Sequence, residues 1–146
     1  MATIGYDCEI ILDGTGYFVK PGSYSVKQPR IRETKYRADG NLSYIDLGPG
    51  RRTWTMIILA INELKRYDGS TVNMTGQQYR DALRASYINN IGTTINFTDP
   101  LSGASIPTRF DHYEETILNL HSQIISLATG GSPAASYEIK IQLLEA

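Results

Sequence analysis

The sequence predicts a mainly β fold of the α+β kind: an antiparallel β-barrel or sandwich flanked by one α-helix, in a single domain over residues 1–146. Three observations predict it. Strand-like segments come in runs on either side of one helical segment, without the strict βα alternation of a parallel fold. The last segment, Tyr137, Ile139, Ile141 and Leu143, alternates with Glu138, Lys140 and Gln142, the period-two pattern of a half-buried strand. The helical segment carries its own start signal and an apolar stripe.

In chain order, Cys8–Leu12 reads as a first strand and Tyr17–Val19 as a second, joined by the turn Asp13-Gly14-Thr15-Gly16. Pro21-Gly22 is a turn, after which Tyr24 and Val26 begin an extended stretch. Pro29 confines that stretch to an edge, an end or a bulge, because proline cannot donate to a ladder. Ile31–Tyr36 continues it. Residues 38–52 read as a long loop holding Asp39-Gly40 and Gly48-Pro49-Gly50, with Tyr44, Ile45 and Leu47 inside it. A loop of this length in a small domain usually has a function or is disordered. Three large apolar groups there point to a short strand or a contact surface.

Thr53–Ile61 is the most apolar segment. Its alternate residues Trp54, Met56, Ile58 and Ala60 share one face with Thr55, Ile57, Leu59 and Ile61 on the other, which predicts a central strand covered on both sides. Thr75 and Gln78 fit a capping box, and Tyr79, Ala82, Leu83, Ser86 and Tyr87 fall on one helical stripe, ending near Asn89-Asn90. Thr93–Phe97 reads as a strand and Asp99–Gly103 as a turn. Arg109–Leu120 is extended, with helix competing. Ile124–Leu127 is a short apolar run, and Gly130–Pro133 a flexible link.

The search for chemistry returns no constellation. His112 and His121 are nine residues apart, so no i, i+4 metal pair exists, and no metal or cofactor is expected. Asp7 and Glu9 flank Cys8, and negative charge raises a thiol's pKa, the wrong direction for a nucleophile. The glycine-rich turns match neither a Walker loop nor a dinucleotide fingerprint. Fourteen Lys and Arg against fifteen Asp and Glu leave no basic excess for general phosphate binding. No secretory leader or membrane-spanning run is visible, which predicts synthesis in a cytosol. The expectation is a protein that is not an enzyme and works through surface.

Two biases support that. Ten tyrosines stand against three phenylalanines, and tyrosine suits surfaces that are wet when free and buried when assembled. Ten of the fourteen basic residues precede Tyr67, while eight acidic residues follow it. Such asymmetry suits head-to-tail packing of identical copies.

The order of elements, with Thr53–Ile61, the capped helix Thr75–Asn89, Ile95-Asn96-Phe97-Thr98-Asp99-Pro100 and the final Tyr137–Glu145, resembles the tail-tube fold of tailed bacteriophages, especially the hub domain of distal tail proteins. The resemblance implies a structural virion protein in a hexameric ring of a tail, tail tip or baseplate, with other tail proteins as partners. It implies a lumen through which DNA passes transiently, without sequence-specific binding and without membrane association. It also implies that the long loop reaches a neighbouring ring. The expected interface residues are then Tyr44, Ile45 and Leu47 as apolar anchors and Arg37, Arg51 and Arg52 around the loop's base. Asp111, Glu114 and Glu115 are the expected acidic counterparts on the neighbour. The appendage domain common in distal tail proteins has no counterpart in this chain. A free-standing β-sandwich module for carbohydrate or peptide, and a capsid decoration protein, are the competing readings.

Overall fold

The computed structural model describes residues 2–131 and 134–146. Its strands and helices run β1 (Ile10–Leu12), β2 (Thr15–Val19), β3 (Ser25–Lys27), β4 (Arg30–Tyr36), β5 (Leu42–Pro49), β6 (Thr53–Ala60), α1 (Gly76–Asn89), β7 (Ile95–Thr98), β8 (Ser105–Ile117), α2 (Leu120–Thr129) and β9 (Tyr137–Glu145). Six strands close into an antiparallel barrel in the order β2-β1-β7-β8-β9-β6, with β6 returning to β2 through Phe18↔Leu59 and Val19↔Ile58. β3 continues along the same edge of β6, from Ser25↔Thr55 to Lys27↔Thr53.

The period-two patterns seen in the sequence build the core. Trp54, Met56, Ile58 and Ala60 of β6 face inward, in register with Leu143, Ile141, Ile139 and Tyr137 of β9, and all eight are buried. Ile10, Leu12, Phe97 and Ile106 complete the wall. The second row of β6, Thr55, Ile57 and Leu59, is only half-buried. The expected cover on both faces is absent because α1 packs on the inward-facing side of β6, β8 and β9 and leaves the outer face uncovered.

Helix α1 begins with the predicted capping box: the Thr75 hydroxyl accepts from the Gln78 backbone, and the Gln78 side chain accepts from the Thr75 backbone. Tyr79 and Leu83 enter the core. Gly76 permits the close approach, since a Cβ there would lie 2.5 Å from the Ala60 carbonyl oxygen and 2.7 Å from that of Ala135. Tyr87 stacks on Tyr113 at 5.2 Å and meets Phe110 edge-on at 5.5 Å. Arg80, outside the apolar stripe of α1, reaches Glu115 of β8.

Three segments depart from the sequence reading. The expected long loop 38–52 is mostly strand: β5 pairs with β4 along its whole length, and only Arg37–Asn41 turns. Arg109–Leu120 resolves as strand through Ile117, part of a 13-residue β8 whose register shifts between Phe110 and His112 at a bulge. The apolar run Ile124–Leu127 belongs to a second helix, α2, that the single-helix expectation lacks. Gly130, at φ +71°, ends α2 in the left-handed conformation, and Gly131 donates back to the Ser126 carbonyl. Ser132 and Pro133 of the expected flexible link lie outside the described residues.

The two halves of the chain occupy two contiguous arcs of the barrel: β6, β2 and β1 precede Tyr67, and β7, β8 and β9 follow it. Lys20–Glu138 and Arg52–Glu145 pair between the two halves at 3.2 and 2.8 Å.

Candidate functional site: a protruding hairpin and an exposed helix

The chain leaves the barrel at Pro29 and re-enters at Gly50, whose N–H donates to the Pro29 carbonyl. The Gln28 side chain donates to the Gly50 carbonyl at 3.1 Å, so the two ends are tied into a neck. Proline supplies no ladder donor, which is consistent with the barrel pairing stopping at Lys27. Between these points β4 and β5 form a separate two-stranded sheet, the arm.

Its register runs from Arg30↔Pro49 to Tyr36↔Leu42, with Leu47 as an extra residue between Arg32↔Asp46 and Ile31↔Gly48. Gly48 takes φ +89° at this bulge and Gly40 takes φ +87° at the tip, conformations that favour glycine. At the tip the Gly40 N–H donates to the Arg37 carbonyl and the Arg37 N–H to the Asn41 carbonyl. The Arg30 guanidinium grips Asp46, 2.7 Å from Nε, and holds that carboxyl below the usual carboxylate range.

No arm residue joins the core. Tyr36 is 80% exposed, Tyr44 68% and Leu47 60%. Tyr36, Leu42 and Tyr44 share one face, while Ile45 lies on the other. An isolated two-stranded hairpin is marginal in water, and both outer edges of this one are open to further pairing.

A second unpartnered surface lies on α2. Leu120, Ile124 and Leu127, at i, i+4 and i+7, are all more than half exposed, and no α2 residue is buried. The helix is nevertheless firmly rooted. Asn119 donates to the Ala134 carbonyl and accepts from the Ser136 N–H, and Gln123 accepts from the Ala134 N–H.

The predicted interface residues divide. Tyr44, Ile45 and Leu47 lie on the arm, as expected, but on β5 and not on a loop. Arg37, expected at the base, sits at the tip, a strand's length of roughly 23 Å from the neck. Arg51 is exposed beside the neck. Arg52 is engaged within the chain: its guanidinium binds Glu145 and lies 4.9 Å over the Trp54 ring. Asp111 is exposed at the β8 bulge, and Glu114 stands 3.4 Å from His112 on the outward face, in register with Lys140. Glu115 faces α1, where it accepts from Arg80 at 2.8 and 3.1 Å and from the Tyr113 hydroxyl at 2.9 Å. The structure thus brings Tyr44 together with Tyr36 and Leu42, and it separates Glu115 from the exposed Asp111 and Glu114. The sequence reading missed Tyr36 and Leu42 because their shared face exists only in the paired hairpin, and it missed the helical spacing of Leu120, Ile124 and Leu127.

Arg80 holds Glu115 below the usual carboxylate range, the Tyr113 hydroxyl acting in the same direction and burial opposing it. A carboxyl with a lowered folded pKa contributes stability above its unfolded value, and this contribution is lost as pH falls through the folded value. Urea midpoints measured from pH 7 to pH 3 should therefore fall less steeply below about pH 4.5 in Glu115→Gln than in the wild type. Equal slopes would show that this pair carries no pH-dependent stability.

Among the described residues, no group of three or more His, Cys, Asp and Glu could hold a metal ion, and no helix is long and apolar enough to cross a membrane. Cys8 is fully buried, and burial, reinforced by Asp7 and Glu9, pushes its thiol up to about 12. No protein-family model matches the chain, and a search of curated proteins finds no significant relative.

Proposed function

We propose that this chain is a structural virion protein without catalytic activity, a subunit of a hexameric ring in a bacteriophage tail, tail tip or baseplate. In this reading it is made in the host cytoplasm and joins other tail proteins around a lumen that DNA crosses transiently. The observation that carries the reading is the arm: an ordered hairpin that contributes nothing to its own core and holds tyrosine, leucine and isoleucine in water. Leaving each large side chain exposed forgoes about 1.5–3 kcal/mol relative to full burial, and a neighbouring subunit recovers it. A closed barrel with a projecting arm suits repeated contact between copies. The likeness of the element order to the tail-tube fold supplies the symmetry and the location.

Light scattering on the size-fractionated chain, with electron microscopy of the same fractions, tests this. The expected species is a ring of about six times the 16.2 kDa subunit. A monomer at every concentration would overturn the reading in favour of a free-standing binding module, and a trimer would favour a decoration protein.

A further inference from the structure

The arm and α2 sit at opposite ends of the same strands. The neck adjoins Thr53, where β6 begins opposite Leu144 of β9. α2 follows Ile117, which pairs with Tyr137, itself paired with Ala60 at the far end of β6. An eight-residue strand puts these ends roughly 23 Å apart. Each end therefore presents one ordered apolar surface that its own chain leaves uncovered.

We propose that the Leu120/Ile124/Leu127 stripe of α2 is the docking face for the arm of a second copy of this chain. The chemistry selects the occupant. Residues 117–131 contain no Lys, Arg, Asp or Glu. A helix that binds lipid surfaces usually carries Lys or Arg on its polar face, and a nucleic-acid surface needs cations. An uncharged stripe matches an apolar protein face, and the arm's Tyr36, Leu42 and Tyr44 supply one.

The dimensions agree. Leu120 to Leu127 spans about 10 Å of helix. The arm's cluster covers about 7 Å along β5 and about 5 Å across to β4. A helical stripe on a sheet face is a standard two-layer packing. Because donor and acceptor surfaces lie at opposite ends, the contact is heterologous: it leaves each new copy with a free arm at one end and a free α2 at the other. The inference rests on the assembling role proposed above and gives that assembly a polarity along the strand axis.

Two variants of the full chain test it: Tyr44→Asp, which spoils the arm, and Ile124→Asp, which spoils the stripe. Both positions are exposed, so thermal unfolding and circular dichroism should match the wild type. In sedimentation velocity each variant alone should lose end-to-end association at least tenfold. An equimolar mixture should regain one junction, because Ile124→Asp supplies an intact arm and Tyr44→Asp an intact α2. Growth should stop at pairs of units, whether those units are single chains or rings. No pairing in the mixture, wild-type stacking by either variant, or capture of α2 by phosphatidylcholine vesicles in place of protein would overturn the proposal. Rings that persist in the equimolar mixture without pairing would overturn this inference alone, whereas junctions that form between units other than hexamers would overturn the hexameric reading alone.

Discussion

Replacing Trp54 with alanine is expected to cost about 3–5 kcal/mol, measured as the loss of unfolding free energy in urea. Trp54 is 1% exposed and stands second in β6, near the neck end of the barrel, opposite Leu143 of β9 on one edge and Val26 of β3 on the other. Its ring meets Phe97 of β7 edge-on at 5.4 Å, so it bridges the barrel from wall to wall. The Arg52 guanidinium, locked by Glu145, covers it. Truncation removes the largest side chain of the core and leaves a cavity that a closed sheet has little freedom to collapse. Domains of this size commonly hold only 5–15 kcal/mol in total, so the variant should melt roughly 10 °C or more below the wild type. Trp54→Phe, which keeps an apolar ring, should lose less than half as much. A loss below about 1 kcal/mol for the alanine variant would place Trp54 outside the core.

Excising the arm is expected to do the opposite: little to stability and everything to association. The neck makes a clean excision practicable, because the Pro29 carbonyl and the Gly50 N–H are already hydrogen-bonded. Replacing residues 30–49 with a short Gly-Ser turn removes no core residue and breaks no barrel pairing. The unfolding free energy should stay within about 0.5 kcal/mol of the wild type, the usual range for changes away from buried features. End-to-end association of units, followed by light scattering across a concentration series, should be abolished. A truncated chain that assembles as the wild type does would show that the arm is not the contact. One that fails to fold would show that the arm braces the barrel.

The barrel was legible in the sequence wherever one row of side chains is buried and the next is not. Tyr137–Leu143 announces its inward face by alternation, Trp54–Ala60, apolar on both faces, announces a strand but not which face turns inward, and Thr75 with Gln78 announces the start of α1 by capping chemistry. Residues 42–49 gave no such signal. No face of β5 is buried by its own chain, so nothing forces its side chains to alternate, and Asp46, Gly48 and Pro49 read as turn residues. α2 was hidden for the same reason. Its stripe is present at the right spacing, but ten residues bounded by Asn119 and a diglycine look like a short apolar run until Gly130 is seen closing a helix. Among the interface candidates, exposure of the arm side chains was foreseeable from their neighbours. The engagement of Arg52 and Glu115 was not, because their partners lie 93 and 35 residues away in the chain.

The position of β9 bears on how the protein is made. It lies between β6 and β8, so the strand that seals the barrel follows every other element in the chain. Its partners on β6 were translated roughly eighty to ninety residues earlier, from Thr53 opposite Leu144 to Ala60 opposite Tyr137. Until β9 emerges from the ribosome, Trp54, Met56 and Ile58 have no opposite row, and the nascent chain must carry its most apolar segment unsatisfied. Closure of the barrel then waits for β9, while the arm, whose strands are joined by a five-residue turn, can pair as soon as it clears the exit tunnel. Early translation stops anywhere before Tyr137 should therefore yield insoluble or degraded chains and no partly working protein.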